Sequence, residues 1–172
     1  MQSCAPVRTR DRQRGMSRVS PAFRSFAAHL IAQDAKSISA SRSGPLGAFP
    51  VIDKLRAPMT NLMGGTGFSA LISRSLTLAT ADIPALRGVQ LKPDGVWEGL
   101  EAIDAQLGTD GFLEARVVVL AQLLGLLVAF VGEALTLRLM AEIWPNLPPT
   151  LSPELSSNRQ DFRKRDRNEK AK

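Results

Sequence analysis

From Val117 to Gly132 the chain reads VVVLAQLLGLLVAFVG, and Gln122 is the only polar side chain in it. A helix made from such a stretch has no solvated face, so it must be surrounded on all sides. Every other part of the sequence is therefore read as cover for this run or as chain that lies outside the fold. The run sits between Arg116 and Glu133. Its length, about 24 Å at about 1.5 Å per residue, falls short of the roughly 30 Å of a bilayer core. Extending it in either direction brings in Glu114 and Arg116, or Glu133 and Arg138. The pattern predicts a central core helix, with insertion of about 113–139 into a membrane as the alternative. Capped by Thr109 or Asp110, the helix is expected to run over about 110–144 and to stop at Pro145.

The charge is segregated along the chain. Residues 1–50 carry eight Arg/Lys against Asp11 and Asp34, residues 51–150 carry seven against ten acids, and residues 151–172 carry seven against four. The middle is mildly acidic and the basic character belongs to the ends. Both ends are rich in Arg, Ser and Pro, a composition that buries too little apolar surface to offset ordering entropy. The expected organisation is a disordered basic leader over 1–47, a helical domain over 48–146 and a disordered charged tail over 147–172. The leader's Arg- and Ser-rich start is similar to an organelle transit peptide, and SPAFRSFAAHLIAQ places Phe23, Phe26, Ala27, Leu30 and Ile31 on one helical face. A flexible leader ahead of an alternative start at Met16 accounts for the same residues. Cys4 is the only cysteine, and MQSCAPVRTRDRQRG is followed by no apolar signal region.

In the middle, Pro50 is suited to opening a helix that carries Ile52, Leu55, Met59, Leu62 and Met63, with Pro58 interrupting or restarting it. A second helix, with Thr66 as a plausible N-cap, takes Phe68, Leu71, Ile72, Leu76 and Ala79 on one face. Val89 and Leu91 alternate with Gln90 and Lys92 before Pro93-Asp94-Gly95, which predicts a β-hairpin over about 88–98. Leu100, Ile103 and Leu107 then mark a short helix ended by Gly108. The fold class expected is mainly α: a small helical bundle around one long apolar helix, with a short hairpin.

Between the first two helices lies NLMGGTGFSALISRSL. Its Gly64, Gly65, Thr66, Gly67 and Phe68 resemble the glycine loop of extended short-chain dehydrogenases, and that resemblance implies a dinucleotide-binding turn. The likeness ends there. Ser69 and Ala70 depart from the family's pattern, the second at the position of its third glycine. RAPMTNLM does not read as the buried strand that must precede such a loop, and no acidic residue closes a second strand to hold a ribose. The stretch is instead expected to be a helix-to-helix corner, with no cofactor.

Little in the chain suggests chemistry. It has one histidine, His29, one cysteine and no tyrosine. A Cys/His metal site and a general base near neutrality are not expected, and Glu98, Glu101 and Asp104 read as a solvated helix face. The C-terminal basic run is interrupted by acids and has only Phe162 for stacking, so specific nucleic-acid recognition is not expected. Two features stand out. Ala121, Gly125 and Ala129, followed by Gly132, form a small-residue stripe where another helix can come close. Glu133, placed at the end of an all-apolar helix, is expected to pair with Arg74 in a buried site. The functional expectation is a non-enzymatic helical interaction or scaffold protein, cytoplasmic, bound to a protein partner or to a second copy, with no small-molecule ligand. The alternative is a membrane-associated protein.

Overall fold

The computed structural model describes residues 20–40, 49–92 and 95–145. They form α1 (Pro21–Ala40), α2 (Pro50–Asp82), a 3-10 turn (Pro84–Gly88), β1 (Gln90–Leu91), β2 (Trp97–Glu98), α3 (Leu100–Val131) and α4 (Glu133–Ile143). The fold is mainly helical, with a small antiparallel hairpin and a long apolar helix, as the hydrophobic pattern requires.

α3 is the hub. Ala115, Val117 to Ala121, Leu123, Leu124 and Leu127 are buried on it, and α1 and α2 pack along its length. The cover on one side is α1, whose Phe26, Ala27, Leu30 and Ile31 are all buried. Residues 21–40 fall inside the segment expected to be a leader, and here the boundary moves. Their apolar face meets a helix that has no polar face of its own, and the burial this gives outweighs a basic, serine-rich local composition. The tail expected over 147–172 lies outside the described residues.

Three glycines divide the helices. Gly64 within α2 (φ 79, ψ 158), Gly108 within α3 (φ 64, ψ −179) and Gly132 between α3 and α4 (φ 93, ψ 156) share a backbone region open essentially to glycine alone. At each the ladder breaks and the chain changes direction, so one long chain folds back as shorter rods. Gly64 is thus the corner expected from the sequence. The residues on both sides of it are helical: RAPMTNLM belongs to α2, and Thr66 lies inside the helix instead of capping it. Pro58 does not interrupt α2, because Leu55 and Met59, both fully buried, hold the backbone on either side of it. The helix expected over about 110–144 is likewise two elements, since Gly132 ends α3 and α4 begins at Glu133.

The hairpin pairs Gln90 with Glu98 and Leu91 with Trp97. Two residues per strand do not stand alone. The hairpin is tied to the start of α2 by Trp97, whose ring lies tilted at 41° against that of Phe49 with centroids 4.5 Å apart, and by the Trp97 Nε1–H donating to Asp53 Oδ1 at 3.4 Å. Arg56 donates to the Gly95 carbonyl at 3.2 Å and to Asp53 at 3.1 Å, which holds the tip.

Candidate functional site

The small-residue stripe resolves into three different environments. Ala121 is fully buried, and a Cβ added to Gly125 would lie 3.7 Å from the Phe23 ring of α1. That half of the stripe is an internal helix contact. Ala129 is exposed on the last turn of α3. Gly132 serves as the hinge: its positive φ removes it from the helical stripe, a Cβ there would meet nothing within 4 Å, and its carbonyl accepts from the Thr136 hydroxyl at 2.8 Å. Gly125→Ala is expected to be accommodated, with ordinary contact to Phe23 and about 1 kcal/mol gained in helix propensity. Gly125→Leu is expected to wedge α1 away at a cost of ~1–3 kcal/mol. Thermal unfolding of the two variants beside the wild type checks both signs.

Beyond Leu127 the cover thins. Ala129 and Ala134 are exposed, Phe130 is 72% exposed and Leu135 is 37% exposed. Phe130 is the most exposed of the large apolar side chains among the described residues. These residues flank the Gly132 hinge, so the end of α3 and the start of α4 form an elbow that presents an apolar surface to solvent. Exposed Arg138 lies on α4, one turn past Leu135. Length and composition alone would let Ala105–Val131 cross a membrane. In this fold its middle is packed between α1 and α2, Ala129 and Phe130 are exposed at its C-terminal end, and Leu113 is 47% exposed toward the other.

Ionic residues form a second cluster, at a place the sequence did not indicate. Asp34 of α1 is fully buried and pairs with Lys54 of α2 through Oδ1, while Oδ2 has no hydrogen-bond partner. Arg116 of α3 completes the group. Burial holds its guanidinium below the ordinary arginine value, and the Asp34 carboxylate nearby acts in the opposite direction. Asp34 and Lys54 thus pair between α1 and α2, with Arg116 of α3 within electrostatic range of the carboxylate. Arg24 and Glu114 form a further pair between α1 and α3, partly open to solvent.

The buried pair expected between Glu133 and Arg74 is not formed as such. Arg74 is exposed on α2, and Glu133 is half-buried. The hinge at Gly132 places Glu133 in the first turn of α4, where the free N–H groups and the helix dipole favour a carboxylate. Asp34 is the buried acid instead. His29 also differs from expectation: it sits half-buried in α1, where the Gln33 amide donates to its Nε2 at 3.1 Å. Gln122 is buried within α3 with its Nε2 unpaired.

These features define a small helical bundle with an internal ionic junction and one uncovered apolar elbow. The chain matches no known family model, no curated protein and no solved structure.

Proposed function

We propose that this is a non-enzymatic, cytoplasmic helical interaction protein that associates with a second copy of itself through the α3–α4 elbow. The observation that carries the reading is the 72% exposure of Phe130 on the helix whose middle, Val117 to Leu124, is buried. Large aromatics dominate interface energetics when buried against a partner. Ala129, the residue before it, is small and exposed, and an isologous contact is the simplest way for a small chain to cover such a surface. The non-enzymatic part of the reading rests on a chain with one histidine, itself engaged with Gln33, and no tyrosine.

Sedimentation velocity in detergent-free buffer tests the proposal. The wild type is expected to sediment as a dimer, and Phe130→Glu to weaken self-association by about 2 kcal/mol or more, as for a central aromatic anchor. Thermal unfolding of the variant should stay close to wild type, because the side chain is solvent-exposed within one copy. A monomeric wild type overturns the reading. The second reading is membrane association, favoured by the length and apolar character of Ala105–Val131. Flotation of the wild type with lipid vesicles, lost in Phe130→Glu, would move the proposal to that alternative.

A further inference from the structure

A cleft of about 440 Å³ lies between the C-terminal half of α2 and β1, within the range of about 300–1,000 Å³ usual for binding clefts. Its floor is apolar, with Leu76, Leu86 and Val89 buried beneath it. One wall is α2, which offers Thr77 and Thr80. Their hydroxyls already donate, Thr77 to the Ser73 carbonyl at 2.9 Å and Thr80 to the Thr77 carbonyl at 2.7 Å. Each has used its only proton and presents lone pairs to the cleft.

The opposite wall is β1. Lys92 N–H donates to the Val96 carbonyl at 2.9 Å, and the register continues through Leu91 opposite Trp97 to Gln90 opposite Glu98. Hydrogen-bonded and non-hydrogen-bonded pairs alternate along an antiparallel ladder. Leu91 therefore belongs to a non-hydrogen-bonded pair, and its N–H and C=O point away from β2. Among the described residues the sheet has two strands, so those groups lie on its open edge there. An open edge is a template for another strand.

We propose that this cleft takes an extended peptide segment of another protein as a third strand, paired through its main chain with Leu91. An extended chain supplies the N–H and C=O that Leu91 lacks, and on its far edge N–H donors for the acceptor-only oxygens of Thr77 and Thr80. Alternate side chains of the segment rest on the floor of Leu76, Leu86 and Val89. Arg87, exposed at the mouth of the cleft, selects a segment with an acidic residue at that end. None of the elbow residues takes part, so this surface stands or falls independently of self-association.

The test is amide NMR on the isotope-labelled full chain. The probe is an acetylated, amidated hexapeptide of alternating valine and threonine with a terminal glutamate. The Leu91 amide resonance is expected to move on titration, and its hydrogen exchange to slow by about tenfold or more at saturation. Leu91→Pro removes an N–H that β2 does not use, a place where an edge strand tolerates proline. That variant is expected to bind the probe about tenfold more weakly. A probe N-methylated at alternate amides leaves the protein untouched and should fail on the wild type, which keeps the test decisive if Leu91→Pro does not fold. Equal binding of the methylated and unmethylated probes overturns the proposal. So do shifts confined to residues away from the cleft. A Leu91 amide protected before any probe is added, and freed by deleting 147–172, would also overturn it, giving the cleft to the chain's own tail.

Discussion

A chain that begins at residue 48 is expected to lose cooperative unfolding and to collect in the insoluble fraction. The deletion removes α1, and with it Phe26, Leu30 and Ile31, each 5% exposed or less. Burying one such side chain contributes about 1.5–3 kcal/mol. Three together approach the whole margin of a small domain, about 5–15 kcal/mol. The loss is compounded on α3, where Ala121 and the Gly125 face would be left without their cover and no polar side chain could take its place. Circular dichroism of any soluble material, with a melt, gives the readout. A truncated chain that stays soluble and melts cooperatively near the wild-type temperature would show that α1 is dispensable, and would restore the segment to the role of a leader. Trimming only the residues ahead of Pro21 leaves the buried face of α1 in place and is expected to leave the melting temperature nearly unchanged.

Lys54→Met is expected to cost about 2–4 kcal/mol, less than the 3–5 kcal/mol typical of breaking a fully buried pair, because the lysine reaches solvent. Asp34 has essentially no exposure, whereas the Lys54 side chain is 42% exposed. Removing the cation therefore strands a carboxylate that cannot rehydrate in place, with Arg116 as the remaining positive charge at the junction. The double variant Asp34→Leu/Lys54→Met removes both ends and replaces them with apolar volume, and it is expected to recover most of the loss. Urea unfolding of wild type, both single variants and the double variant completes the cycle. Additive losses would mean that the two residues do not couple. The same cycle on Arg74 and Glu133 is expected to give a coupling near zero, because neither side chain is enclosed.

How much of this was legible in the sequence follows from where each signal resides. The apolar run over Val117–Gly132 announces a buried helix because no face of it can meet water. Gly64 and Gly108 announce breaks because glycine alone reaches the backbone region they adopt. The hairpin is legible from the alternation at Val89–Lys92 followed by Pro93-Asp94-Gly95. By spacing Gly132 belongs to the contact stripe, since a helical spacing of small residues looks the same whether the helix continues or ends. Leu62 falls on the apolar face of α2 by spacing yet is 44% exposed, because the kink two residues later turns that face away from α3.

What the sequence by itself determined is the set of elements and the need to enclose one of them, because periodicity and backbone preference are properties of neighbouring residues. Only the tertiary structure decided which segment does the enclosing. The apolar face of α1 was visible, but its worth depends on α3, more than eighty residues away. The same holds for charge. Asp34 follows Leu30 and Ile31 by one helical turn, yet nothing in the sequence says what packs over that face, whereas Glu133 adjoins the most apolar stretch and looks buried. The fold buries the first and leaves the second half-buried, since the burial of a carboxylate is set by what packs over it and not by its neighbours in the chain.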